Sequence, residues 1–122
     1  MSKQLDDRMT IIYKICTAAE WREAERSGTF RGSAADRRDG YIHFSTAAQV
    51  IATSAKHFAG QADLVLVSVE TAVLSNLLRW EPSRGGAYFP HLYGELPVAA
   101  ARSVDPLPLG AGGRHIFPPL QP

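Results

Sequence analysis

Two observations predict an α+β fold with a small, strongly bent sheet, over the doubly wound sheet that the order strand, helix, strand, helix, strand and then short strands could suggest. The strand segments are few and short. The junction "ICTAAEW", residues 15–21, contains no glycine, so the phosphate-binding turn of a doubly wound sheet is missing after the first strand.

The first strand is "TIIYKIC", residues 10–16, rich in β-branched and aromatic residues. Thr17 and Glu20 have capping-box spacing, which predicts a helix from there to Ser27, ended by Gly28. The polar stretch "TFRGSAADRRDG", 29–40, reads as a surface loop long enough to cover something, with Asp36 and Asp39 flanking a solvated Arg37-Arg38 pair. "YIHFS", 41–45, reads as a short strand whose period of two sends Tyr41, His43 and Ser45 to one face. Thr46 and Gln49 form a second capping-box pair. Ala47, Val50, Ile51, Ser54, Ala55 and Phe58 then make an amphipathic stripe that stops by Gly60. "DLVLVSVE", 63–70, is apolar on both faces over its first half and predicts a central strand.

"TAVLSNL" reads as a short helical turn, "LRWEP" as a short strand ended by Pro82, and "SRGGAYFPHLYGELP" as irregular. "VAAARSV" reads as a last strand. The domain is taken as residues 1–106. Residues 107–122, rich in proline and glycine, are expected to form an extended or disordered tail that contributes little to the core.

At 122 residues the chain suits one domain, with 45% hydrophobic and 20% charged residues. A formal net charge of +1 gives no pull toward nucleic acid or an anionic membrane. The single cysteine, Cys16, excludes an internal disulfide and fits a reducing compartment. "MSKQLDDR" lacks the apolar core of a secretory signal, and no apolar run is long enough to span a bilayer. A soluble cytoplasmic protein is the expectation.

Chemistry concentrates in two stretches. His43 lies on a strand that runs into a helix N-terminus at Ser45-Thr46, a junction whose free backbone N–H groups suit a phosphate or carboxylate. His91, Tyr93 and Glu95 alternate along "FPHLYGELP", residues 89–97, and share a direction on an extended backbone. Each residue also has a plainer reading: Ser45 and Thr46 as helix caps, the histidines as packed residues with one partner, Lys14 as an edge residue facing solvent. The histidines at 43, 57, 91 and 115 have no metal-ligand spacing, and no metal is assigned. Cys16 reads as a small buried apolar residue rather than a nucleophile.

"IYKICTAAEW", "GYIHFSTAAQV", "LVLVSVE", "LRWEP" and "FPHLYGELPVAAA" together resemble the small bacterial proteins grouped as domain of unknown function 952, over about residues 11–105. That family resembles the ADP-ribosyltransferase fold. The resemblance implies a split, bent mixed sheet, two main flanking helices and a nicotinamide-dinucleotide cleft. It implies a first-strand residue on the ribose, aromatic or hydroxyl walls around the nicotinamide, and a glutamate stabilising an oxocarbenium-like state. Lys14 stands where that family usually has histidine after the first-strand tyrosine.

On this basis Tyr13, Lys14, Ser45, Thr46 and Tyr93 are expected to hold the ligand, and His43, His91 and Glu95 to act on it. The ligand is expected to be a phosphate-bearing small molecule, with NAD or a related nucleotide as a substrate and no obligate cofactor assigned. Three functions compete: a nucleotide-binding domain, an active ADP-ribosyl or phosphotransferase-type enzyme, and a non-catalytic interaction module.

Overall fold

The structure, a computed structural model, describes residues 10–122. The stretch read as lacking a secretory signal, residues 1–8, lies outside them. Among the described residues no helix is long and apolar enough to cross a membrane.

The first strand, β1 (Ile11–Thr17), passes directly into helix α1 (Ala18–Ser27). Thr17 caps that helix as its spacing predicts: Glu20 N–H donates to Thr17 Oγ1 at 3.0 Å and Thr17 N–H to Glu20 Oε1 at 2.9 Å. Gly28, at φ 89°, closes it in the left-handed conformation that glycine adopts without strain. The expected surface loop is instead built from β2 (Thr29–Phe30) and a short helix α2 (Ala34–Asp39). Then come β3 (Ile42–His43), β4 (Ser45–Thr46) and α3 (Ala47–His57). The strands that follow are β5 (Leu64–Glu70), β6 (Leu78–Pro82), β7 (Tyr88–Leu92), β8 (Leu96–Pro97) and β9 (Ala101–Leu107).

The fold is α+β, with its sheet split into three parts. A four-stranded sheet has the order β4-β1-β5-β9, a three-stranded sheet the order β3-β7-β6, and β2 pairs with β8. The ladders joining these strands are antiparallel, so the split and bend come without the parallel pairing of a mixed sheet. β5 is central to its sheet, as its two-sided apolar pattern predicts. Phe44 is the corner. β3 belongs to one sheet and β4 to another, and Phe44 N–H donates to Pro90 O between them.

The faces of β1 divide the interior. Ile12 and Cys16 join a core with Trp21, Phe30, Phe44, Leu92 and Leu96. Ile11, Tyr13 and Ile15 join a second core with Val50, Leu64, Leu66 and Leu107. In α3, Val50 and Ser54 are buried whereas Ile51 is exposed, so the buried stripe is narrower than the spacing suggested. Cys16 is buried, and burial pushes its thiol up to about 12, which leaves it an unreactive packing residue.

The last strand extends through Leu107, and the segment after it packs where little contribution was expected. Phe117 and Leu120 lie against the second core. Tyr13 OH donates to Gln121 O at 3.0 Å and accepts from Gln121 N–H at 2.7 Å. Ile116 N–H donates to Pro108 O, and Gly60 N–H to Gly113 O. Between this segment and the sheet is a cavity of about 240 Å³ bordered by Tyr13, Ser68, Arg102 and Asp105.

Candidate functional site

Strand register brings the two histidines together. His43 on β3 pairs with His91 on β7, and their ring centroids are 5.7 Å apart, edge to face. Tyr41 contacts both: it stacks on His91 at 4.1 Å with planes 23° apart and lies 4.7 Å from His43. Tyr93 is 5.2 Å from Tyr41, and the Arg79 guanidinium sits 5.2 Å from the Tyr93 ring centre.

Each histidine is oriented by a carboxylate through Nδ1. His91 Nδ1 is 2.7 Å from Glu81 Oε1, which also accepts from Tyr93 OH at 2.8 Å. With Nδ1–H committed to Glu81, a neutral His91 ring carries its lone pair on Nε2. Those two hydrogen bonds, His91 first, hold the Glu81 carboxyl below its ordinary range. Donation to Glu81, together with burial, raises the Tyr93 phenol; burial, with Asp39 and Glu81 nearby, raises Tyr41.

His43 Nδ1 lies 2.6 Å from Asp36 Oδ1, and its Nε2 lies 3.0 Å from Asp39 Oδ2. Asp36 is 2% exposed and is the hub of the site. Lys14 Nζ reaches its Oδ1 at 2.9 Å and Oδ2 at 2.7 Å, the His43 backbone N–H donates to Oδ1 at 3.1 Å, and Ser33 N–H donates to Oδ2 at 2.9 Å. Burial alone would raise the Asp36 carboxyl. The His43 hydrogen bond and the Lys14 charge outweigh it and hold the group far below its ordinary range. Ser33 also caps α2 by accepting from Asp36 N–H, which fixes the carboxylate beneath His43.

Gly32 is matched to this hub. Its φ is +105°, and a Cβ there would meet Asp36 Cβ at 2.8 Å. Gly32→Ala is expected to destabilise by about 2 kcal/mol, from backbone strain and the close contact. A thermal midpoint equal to the parent's would remove this constraint.

The other expected residues divide. Tyr93 joins the site. Lys14 lies beneath it, 5% exposed and committed to Asp36, because β1 runs between β4 and β5 and is no edge. Tyr13 points to the opposite face of β1, toward Gln121. Ser45 leaves the His43 face because the chain changes sheets at Phe44, and its Oγ is 3.2 Å from Thr53 Oγ1. Thr46 begins α3, its N–H held by Gln49 Oε1 at 3.0 Å, so its role there is capping. Glu95 pairs with Arg31 at 3.0 Å on the exposed surface, in the segment leading to β8, and Glu81 is the glutamate beside His91. Asp36 and Glu81 were missed as site residues. Ser33 and Asp36 do have capping-box spacing, a usable signal for the first.

Among the described residues no group of three or more His, Cys, Asp or Glu could hold a metal ion. What the cluster offers is two oriented imidazoles, two protonated phenols, ionised carboxylates and aromatic faces, a set suited to binding and to proton transfer.

Residues 15–104 match the family described as protein of unknown function (DUF952). The chain belongs to this family. The crystal structure of protein CC0527 from Caulobacter crescentus is similar, with a TM-score of 0.85 and 50% identity, covering 88% of this chain and 94% of that one. The solution NMR structure of CC0527 matches with a TM-score of 0.79 and 51% identity, over 87% of this chain and 91% of that one. No curated protein matches.

Proposed function

We propose that this DUF952 chain binds a nucleotide or another phosphate-bearing small molecule on the surface formed by Tyr41, His43 and Tyr93 over the buried His91. One observation carries the reading: two histidines at paired positions of neighbouring strands are each oriented by a separate carboxylate and joined by one tyrosine. Packing alone needs no such double orientation, and buried polar groups are costly unless their arrangement is satisfied. The exposed Tyr93 ring, with the Arg79 guanidinium against it, supplies a stacking face for a base.

The resemblance to the ADP-ribosyltransferase fold read from the sequence adds a second reading, in which Glu81 rather than Glu95 would stabilise an oxocarbenium-like state. The commitments of Glu81 and Lys14 weigh toward binding alone. Glu81 Oε1 serves both His91 and Tyr93, and Lys14 is held by Asp36 away from any ribose.

AMP, ADP and NAD should be titrated while thermal stability and nicotinamide release are followed. A ligand at 100 times its Kd stabilises by about 2.7 kcal/mol, a shift of several degrees. The expected result is stabilisation without nicotinamide release, lost in His43→Ala and Tyr93→Ala and retained in Glu95→Gln. Stabilisation with release, reduced by orders of magnitude in Glu81→Gln, would establish the enzyme reading instead. No stabilisation by any of the three compounds would sink the nucleotide reading.

A further inference from the structure

We infer that His43 Nε2 and the Arg38 guanidinium form the anion subsite of this surface, and that the Asp39 carboxylate fills it as an internal stand-in for a ligand phosphate. The inference rests on the binding reading above and names where the phosphate sits.

Asp39 Oδ2 lies 3.0 Å from His43 Nε2, and Arg38 Nε donates to Asp39 Oδ1 at 3.2 Å. One carboxylate is thus held between two nitrogen groups, an arrangement that two oxygens of a phosphate reproduce. The two sides of the imidazole are unequal. On the Nδ1 side, Asp36 is buried and held by Lys14, Ser33 and the His43 backbone, so it cannot leave. On the Nε2 side, the Asp39 side chain is 34% exposed and its Arg38 partner 74% exposed. Exposed pairs of this kind are weak, because solvent screens them and two mobile side chains must be held in place.

Asp39 ends α2, and the helix is closed by Gly40 N–H on Asp36 O rather than by the Asp39 side chain. A side-chain rotation toward solvent uncovers Nε2 without disturbing the helix. A phosphate monoester brings more charge than the carboxylate it displaces, about −1.5 to −2, and three acceptor oxygens. The Lys14 ammonium offsets the Asp36 charge behind the ring, and the Glu81 carboxylate is committed to His91 and Tyr93. Tyr41, in contact with both imidazoles, links the subsite to the exposed Tyr93 ring 5.2 Å away, where the base of a nucleotide would lie.

The test compares AMP with adenosine on the parent, Asp39→Ala and Arg38→Gln, by calorimetry and by the imidazole nitrogen signals of His43. Circular dichroism confirms that each variant is folded. Asp39→Ala should bind AMP about five-fold tighter, since it removes the internal competitor for His43 Nε2. Its affinity for adenosine should not change, Arg38→Gln should weaken AMP alone, and AMP should perturb His43 Nε2. Equal or weaker AMP binding by Asp39→Ala, with adenosine binding intact, overturns the subsite and leaves the binding reading standing. Failure of both AMP and adenosine to bind the parent and both variants overturns both.

Discussion

Asp36→Asn should destabilise the domain by about 3–5 kcal/mol, the usual cost of removing one partner of a buried ion pair. The substitution leaves the Lys14 ammonium, 5% exposed, without its counter-charge, and, because the amide keeps only one oxygen, turns an NH2 group toward either the His43 or the Ser33 donor. Against a total stability of about 5–15 kcal/mol, that is a large share. Urea denaturation of parent and variant measures it. Adding Lys14→Met to Asp36→Asn should restore part of the loss, and the coupling in that double-mutant cycle should exceed 1 kcal/mol in size, within the range of about 0.5–3 kcal/mol seen for residues in contact.

The pH dependence follows from the same carboxylate. His43 and Lys14 overcome the upward pull of burial and depress the Asp36 carboxyl in the folded chain. The unfolded state therefore binds its proton first, near the ordinary aspartate value of about 3.9. The resulting stability is fully present above that value and is lost as pH falls toward the depressed native one. Parent stability should thus fall steeply below about pH 4, and Asp36→Asn should flatten that slope. A variant with the parent's midpoint at pH 7 and the parent's acid slope would remove Asp36 as the hub.

How much of this was legible in the sequence depends on range. The Thr17–Glu20 box and Gly28 define α1 within a dozen residues, and the structure follows them closely. The sequence marks His43 and His91 as site residues in two separate stretches, and strand register brings them side by side. Asp36 was hidden because "ADRRD" has the composition of a solvated loop. Its burial is decided by Lys14, 22 positions earlier, on a strand with neighbours on both sides. Ser45 was put on the wrong face because strict alternation assumes one strand, and the chain changes sheets at Phe44. Glu95 looked closer to His91 than Glu81 does in sequence. Position in the β6–β7 ladder and side-chain reach reverse that order: Arg79, not Glu81, is the residue opposite His91, and Glu81 extends to it from two positions along.

The tail shows the same limit on a larger scale, and ending the chain at Leu107 should destabilise the domain by about 3–5 kcal/mol. Proline and glycine in residues 108–122 argue against regular structure, yet an extended segment can still dock when it carries a few apolar anchors. Phe117 and Leu120 are such anchors, packed on the face of β1 that bears Ile11, Tyr13 and Ile15. Each is half-buried, so each contributes less than the roughly 1.5–3 kcal/mol of full burial. Truncation also strips the Tyr13 hydroxyl, on a side chain only 5% exposed, of both hydrogen bonds to Gln121. Water entering the vacated groove would re-solvate that hydroxyl in part, which keeps its share near the lower end of the usual 1–3 kcal/mol for an unsatisfied buried group. Tyr13→Phe isolates this share and should cost about 1 kcal/mol in the full-length chain. In the truncated chain, where the partner is already gone, the same substitution should cost nothing measurable. A truncated domain with the parent's urea midpoint would show that the segment rests on the fold without supporting it.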